Sequence, residues 1–260
     1  MTLLYFLVSL MASVAGAISG IGGGIIIKPM LDATHMLNVG TISFLSGCTV
    51  FAMTTVSLIR NRKSSVNLNM KISTLLGIGA ALGGVFGKEL FDLARKILPS
   101  DNIVGAVQSI ILLFMTLGVF LYICFKSKIT SKDTKSPVFT VIIGIALGLV
   151  SSFLGIGGGP LNIALLYYFF SMEAKTAALN SLYIIFLSQI ASLISTLLHN
   201  NVPVFDPFVL IVMILGGVSG ALIGSAFNKK LSNKQVEIFF SSLLVIIAFI
   251  NIYNFLRFVL

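Results

Sequence analysis

The sequence carries little charge. Charged side chains make up 10% of the 260 residues and hydrophobic residues 57%, whereas a soluble domain has roughly 25% charged residues. A chain this apolar lacks the polarity to cover a water-facing surface, so lipid is its predicted solvent. The basic residues fall in short connecting loops, so the net charge of +9 indicates membrane topology rather than nucleic-acid binding.

The sequence also lacks the residues that a metal centre or a membrane enzyme requires. Cys48 and Cys124 lie in apolar runs without CxxC spacing and are expected to be small buried hydrophobes. His35 and His199 are isolated in loops, and every Asp and Glu, Asp32 included, is assigned to a loop or helix end. Cation pathways and proton relays place carboxylates at membrane depth. We therefore expect no cation substrate, metal, cofactor or enzymatic activity.

Long hydrophobic runs are abundant. A membrane-spanning helix needs about 20 apolar residues, and six runs fit, near 39–59, 72–88, 103–125, 176–198, 207–227 and 236–256. Two further apolar stretches, 2–30 and 137–170, are each interrupted by a glycine cluster. The first has no basic region at its start, so we expect it to be retained rather than removed as a signal peptide.

The chain repeats itself. The segment GIGGG occurs at 20–24 and again at 155–159, an offset of 135 that also pairs Thr41 with Thr176, Ser46 with Ser181 and Phe51 with Phe186. An offset of 137 pairs the glycines at 79, 83 and 87 with those at 216, 220 and 224, and each set of three is called a glycine stripe. We predict two homologous halves, 1–125 and 137–260, joined by a basic linker, 126–136, a design common in transporters.

Loop charges predict how the halves are oriented. If each glycine-interrupted stretch crossed the bilayer once, the two sides would carry 9 and 8 Lys and Arg residues. If each is instead a re-entrant hairpin, one side collects 12 of the 17, in loops 60–71, 126–136 and 228–235 and at Lys175, and the other side 5. The positive-inside rule favours the second arrangement. The predicted fold is an all-α membrane helix bundle of two inverted repeats. Each repeat has a broken re-entrant hairpin followed by three transmembrane helices, with the N-terminus extracytoplasmic and the linker cytoplasmic.

The glycine clusters are the predicted site. Adjacent glycines break a helix, and broken backbone at membrane depth is tolerated only inside protein or beside a wet cavity. Each cluster precedes a short apolar segment, so each is expected to present a half-helix N-terminus, where free N–H groups favour an anion. The alternative, that glycine permits close helix packing, is preferred for the two stripes. The residues expected to bind substrate are Gly22, Gly23, Gly24, Gly157, Gly158, Gly159 and Pro160.

Three polar residues complete the predicted site. Ser46, Asn180 and Ser181 lie early in the helix that follows each hairpin, and their hydroxyl and amide donors suit an oxyanion. The other Ser and Thr residues of these helices are expected to bond back to their own helix. Lys28, in the first half only, is expected to snorkel to the surface, although a role as anion counter-charge stays open.

These motifs resemble the TauE/SafE family of sulfite exporters and toluene-sulfonate uptake permeases. The first half reads GIGGGIIIKPML and VGTISFLSG, and the second GIGGGPLNIALL and AKTAALNSL. The family's Thr-Ser pair stands here as Leu45-Ser46 and Asn180-Ser181, and Pro29 lies further from its cluster than Pro160 does.

The resemblance implies a permease in the bacterial plasma membrane for sulfite, an organosulfonate or a related sulfur-containing or carboxylate anion, working by alternating access. The alternatives are an anion channel or a structural subunit of a membrane complex, with an enzyme the least favoured. The expected partners are the small anion and lipid, with no nucleic acid. A coupling ion, proton or sodium, and a homodimer are left open.

Overall fold

The fold is entirely helical in the part of the chain described by the computed structural model, residues 2–34, 36–62, 66–98, 100–156 and 158–259. A single 3-10 turn, Lys126–Lys128, follows the fifth helix. The helices are α1 (Thr2–Ser19), α2 (Gly24–Asp32), α3 (Val39–Asn61), α4 (Met70–Ile97), α5 (Asp101–Phe125), α6 (Pro137–Phe153), α7 (Pro160–Phe170), α8 (Ala174–Leu198), α9 (Pro207–Lys230) and α10 (Asn233–Val259).

Among the residues that the structure describes, seven helices are long and apolar enough to cross a membrane, namely α1, α3, α4, α5, α8, α9 and α10. The predicted class, a polytopic membrane helix bundle, is therefore confirmed. Helix α4 continues to Ile97 rather than ending near 88. Lys88, Asp92 and Arg95 consequently lie on this helix and not in a loop.

The outer surface is apolar, as lipid contact requires. On α5, Phe114 and Leu121 are 69% and 54% exposed. Cys124 is exposed and Cys48 is half-buried, and both are free thiols. The expectation that both cysteines are buried is wrong, because an apolar residue on a membrane helix can face lipid as well as the interior.

Both glycine clusters break a helix. Gly20, Gly22 and Gly155 have φ of 80°, 73° and 66°, in the left-handed region that a non-glycine residue occupies at a cost. In the second cluster Pro160 disfavours helical backbone at the residue before it. Gly159 accordingly has φ 149°, and α7 begins only at Pro160. Gly157 lies outside the described residues.

The helices of the two halves pack reciprocally. The first helix of each broken stretch packs along the fourth helix of the other half, α1 on α9 and α6 on α4. Helices α5 and α10 pack together, as do α3 and α8. Phe51 and Phe186, which the repeat makes equivalent, stack on each other with ring centroids 5.6 Å apart.

The glycine stripes allow this close packing. A methyl group built on Gly83 would lie 2.7 Å from the Ile145 carbonyl carbon, and one built on Gly216 would lie 2.7 Å from the Phe6 carbonyl oxygen. Both neighbours are backbone atoms of the helix packed opposite. The interpretation of the stripes as close-crossing surfaces is confirmed.

Hydrogen bonds between helix termini define two ends of the molecule. At the first, the Pro203 end, Thr41 at the start of α3 donates to the Val204 carbonyl, 3.0 Å away, in the loop between α8 and α9. At the second, the Lys175 end, Lys175 at the start of α8 donates to the Leu231 carbonyl, 2.8 Å away, after α9.

Replacing Gly83 with Ala should destabilise the protein by about 1–3 kcal/mol, because overpacking forces two backbones apart. The matched control is Gly118→Ala on α5, where a new methyl group meets nothing within 4 Å. Alanine should be neutral or stabilising there, because it is the better helix former. Thermal unfolding in detergent, followed by size-exclusion chromatography, measures both. Equal midpoints for the two variants would contradict close packing at Gly83.

Candidate anion site

The two glycine clusters touch each other inside the protein. A methyl group on Gly24 would collide with the Ile156 carbonyl oxygen in the second cluster. One on Gly159 would lie 3.4 Å from Ile25 Cδ1 in the first half. The tips of the two broken stretches therefore meet, and Ile21 and Ile25 beside them are fully buried.

The immediate surroundings of the tips are apolar. A methyl group on Gly22 would lie 3.1 Å from Ile185 Cδ1, and one on Gly24 would lie 3.2 Å from Val50 Cγ2. Val50 and Ile185 are equivalent residues of the two halves. They form an apolar collar around the tips, so the glycine backbone is enclosed by hydrocarbon in this conformation.

The half-helices that start at the tips have uncapped N-termini. The residues before α2 and α7 are Gly23 and Gly159, and neither start has a side-chain cap. The first N–H groups of a helix lack the usual partner within it, although Ile26 and Asn162 donate to the carbonyls of Gly23 and Gly159. The nearest polar side chain to Gly158 is Asn162, whose Nδ2 would be 3.3 Å from a methyl group there. Sequence reasoning missed this buried amide.

The other predicted site residues have different environments. Ser46 and Ser181 are 1% and 0% exposed, and their hydroxyl oxygens have no hydrogen-bond partner among the described residues. The Asn180 side-chain oxygen accepts hydrogen bonds from the Ser73 hydroxyl and, at 2.9 Å, from the Asn69 backbone N–H. It therefore ties α8 to the start of α4 in this conformation.

The expectation that the other hydroxyls of α3 bond back to their own helix holds for Thr49, Thr54 and Thr55, whereas Ser43 and Ser57 have no described partner. Thr49 donates to the Leu45 carbonyl at 2.8 Å, and Thr55 to the Phe51 carbonyl at 2.7 Å. These side chains satisfy their donors locally and are not available to a ligand.

A polar cavity of about 90 Å³ opens at the Pro203 end. We call it the vestibule. It lies between the start of α3 and the ends of α4, α6 and α8. Its polar lining residues are Ser43, Lys88, Asp92, Arg95, Ser151, Ser152, Gln189, Ser192, Thr196 and Asn201, and Gly155 of the second cluster also lines it.

The charged groups of the vestibule favour an anion. Lys88 donates to the Thr196 hydroxyl, and Asp92 accepts from Asn201 Nδ2 at 3.1 Å. The Arg95 guanidinium lies 5.9 Å from the centre of the Phe91 ring. Among the described residues that line the vestibule, Lys88 and Arg95 are cationic and Asp92 is anionic, and a local excess of cations raises the concentration of anions. This cluster was not predicted, because the apolar run that predicts α4 ends near residue 88 while the helix continues to Ile97.

A buried ion pair lies beneath the vestibule. Lys28 Nζ and Asp32 Oδ2 are 2.8 Å apart, with side chains 1% and 4% exposed. The expectation that Lys28 snorkels to the surface is wrong. Asp32 is indeed the last residue of α2, but its side chain faces the interior, whereas Met30 in the same turn is 38% exposed.

The equivalent cavity at the Lys175 end is nearly closed, at about 10 Å³. Ala17 and Ala178 line it, and these are the repeat equivalents of the vestibule residues Ser152 and Ser43. Asn228 seals it by donating to the Ile18 carbonyl. The two halves thus form equivalent cavities that differ in volume at opposite ends of the molecule.

Comparison with known proteins identifies the family. Residues 5–250 match the family described as Sulfite exporter TauE/SafE. A probable membrane transporter protein of Bacillus subtilis (strain 168), YunE, is 24% identical over 94% of this chain and 95% of its own. A probable membrane transporter protein of Methanocaldococcus jannaschii is 28% identical over 93% of this chain and 91% of its own. No solved structure matches the chain. The chain therefore belongs to the sulfite exporter TauE/SafE family.

Proposed function

We propose that this protein is a permease that moves a small anion across the membrane by alternating access. The candidate substrates are sulfite, an organosulfonate or a related sulfur-containing or carboxylate anion. One observation carries the proposal: a vestibule lined by hydroxyls and by Lys88 and Arg95 reaches Gly155 of the second glycine cluster from one end, while the equivalent cavity at the other end is nearly closed.

The repeats in this proposal are inverted, and each broken stretch is a re-entrant hairpin. In support, α1 runs parallel to α9, since Phe6 contacts Gly216 and Val14 contacts Gly224. Helix α1 thus starts at the Pro203 end, where α3 also starts. Linker residues 132 and 134 bond to carbonyls at the end of α7, so the second stretch enters and leaves at the Lys175 end.

The Lys175 end is the cytoplasmic end in this proposal, and the membrane is the plasma membrane. Lys175, Lys229 and Arg60 meet there through hydrogen bonds to backbone carbonyls, and the basic linker ends there as well. The positive-inside rule places such a cluster in the cytoplasm. The vestibule then faces the extracytoplasmic side.

The substrate site in this proposal lies where the hairpin tips meet. N–H groups of Gly22–Gly24 and Gly157–Gly159, at the uncapped starts of α2 and α7, would hold the anion, with Ser46, Asn180 and Ser181 completing the cage. Ser46 and Ser181 have buried hydroxyls to offer. For the anion to reach the tips, the collar of Val50 and Ile185 must part, which a rocking of one repeat against the other would achieve.

The relatives support a substrate of this class. The family description names sulfite export, and the curated relatives are named as membrane transporters. Sulfite and sulfonates are compact oxyanions whose oxygens accept hydrogen bonds from N–H and O–H donors. The closed Lys175 end favours a carrier over a channel, because a channel conducts through a continuous path.

A substrate anion should raise the thermal unfolding midpoint of the purified protein in proportion to the logarithm of its concentration over its dissociation constant. The panel is sulfite, thiosulfate, sulfoacetate, taurine and short carboxylates. Lys88→Gln should weaken binding of the responding anion by about tenfold, a loss of about 1.4 kcal/mol, because it removes a positive charge that concentrates anions in the vestibule.

The control for this measurement is Lys234→Gln, an exposed lysine at the Lys175 end, which should bind as the unaltered protein does. Absence of a shift with every anion would overturn the proposed substrate class. An equal loss in both lysine variants would show only that net charge matters and would remove the vestibule from the pathway.

Alternating access predicts that substrate changes the accessibility of the two cavities in opposite directions. Ser152→Cys in the vestibule and its equivalent Ala17→Cys at the Lys175 end form a matched pair, made after Cys48→Ala and Cys124→Ser. A membrane-impermeant maleimide should label Ser152→Cys from outside and leave Ala17→Cys protected. During transport, labelling of Ala17→Cys in inside-out vesicles should rise while that of Ser152→Cys falls. Simultaneous increases at both positions would indicate a continuous pore and therefore a channel.

A further inference from the structure

The buried pair Lys28–Asp32 is unusually short of partners for two charges inside a membrane protein. Lys28 has three N–H donors, and its one described hydrogen bond is to Asp32 Oδ2, 2.8 Å away. Asp32 Oδ1 is buried and accepts no hydrogen bond from any described residue. A buried charge with so few partners is costly and is commonly functional.

Lys28 lies directly under the floor of the vestibule. A methyl group on Gly155 would sit 3.2 Å from Lys28 Cε and 2.5 Å from Ser43 Oγ, and both Gly155 and Ser43 line the vestibule. The absence of a side chain at Gly155 therefore leaves the end of the lysine close to the cavity. Ser43 Oγ is itself buried without a described partner, so a second donor is available at this point.

The pair is a feature of one half only. The repeat equivalents of Lys28 and Asp32 are Ile163 and Tyr167. Helix α7 holds the same architectural position as α2 without either charge, so the fold does not need an ion pair there. The requirement that keeps these charges in α2 is therefore specific to the first half.

We propose that Lys28 is the counter-charge of the transported anion and that Asp32 is the internal anion that occupies Lys28 when substrate is absent. This inference rests on the proposed function, since it supplies a partner for that anion. The lysine stem has four flexible carbons, so its ammonium can turn from Asp32 toward Gly155 and Ser43 while α2 stays in place.

Such an exchange keeps the lysine neutralised in both states. Before binding, the carboxylate of Asp32 balances the ammonium, and a foreign cation gains nothing by entering. After binding, the substrate anion takes the ammonium and the Ser43 hydroxyl, and it must compete with Asp32 to do so. Asp32 therefore lowers the affinity for substrate and helps its release.

Four variants of the full chain test this exchange, with sulfite as the probe and the thermal shift as the measure of its dissociation constant. Asp32→Asn removes the competitor and should tighten sulfite binding by about tenfold, even if the variant unfolds at a lower temperature. Lys28→Gln should abolish the sulfite response. The double variant Lys28→Gln/Asp32→Asn leaves no unpaired charge, so it keeps the test valid if the single lysine variant fails to fold, and it too should give no response. Lys96→Gln, an exposed lysine on α4, should behave as the unaltered protein.

The outcomes separate this inference from the proposed function. If the unaltered protein responds to sulfite and the double variant binds it equally well, Lys28 is not the counter-charge and the proposed function stands. Unchanged affinity in Asp32→Asn would make the pair purely structural and overturn the exchange. If the unaltered protein responds to no anion of the panel, the proposed function fails and this inference fails with it.

Discussion

The whole structure depends on how it encloses backbone that is not helical at membrane depth. Lipid offers no hydrogen bonds, so each N–H and C=O released by the glycine clusters must be shielded by protein or reach a polar cavity. The chain meets this constraint by placing the tips of the two broken stretches against each other, with the Ile156 carbonyl at Gly24. Each break is thereby covered by the other half of the molecule.

That mutual cover explains the reciprocal packing. Helix α1 belongs to the first half but lies along α9 of the second, and α6 lies along α4 in return. Such a contact needs close approach of two backbones, which the glycine stripes supply at Gly83 and Gly220. Each glycine cluster is enclosed partly by residues of the other half, as Gly22 is by Ile185 and Gly159 by Ile25, so the two halves depend on each other although the sequence repeats.

Features with a local sequence cause were predictable. Adjacent glycines break helices wherever they stand, and glycines spaced by four residues form a flat helix face, so both breaks and both stripes followed from the sequence.

Features set by tertiary contact were not predictable from the sequence. The end of α4 beyond Lys88 depends on packing that keeps charged residues helical beside the vestibule. The hydrogen bonds that Asn180 accepts from the Ser73 hydroxyl and the Asn69 backbone N–H depend on how α8 meets α4. The burial of Lys28 was not predicted. Its distance of four residues from the glycine cluster gives its position in the sequence but not its depth in the protein.

Sequence divergence between the halves matters most where the structure makes them equivalent. Ser43 and Ala178 occupy the same place in the two repeats, as do Lys28 and Ile163. The vestibule, which contains Ser43, has a volume of about 90 Å³, and the equivalent cavity, which contains Ala178, has a volume of about 10 Å³. In the proposed alternating access, two identical halves would give the open and closed forms equal energy by symmetry. Ser43 and Ser152, which stand where the other half has alanine, bias that balance, because a hydroxyl is better placed beside a wet cavity than inside a dry contact. Under the proposed mechanism this divergence favours the form whose vestibule is open at the Pro203 end, because closing the vestibule would desolvate the hydroxyls of Ser43 and Ser152.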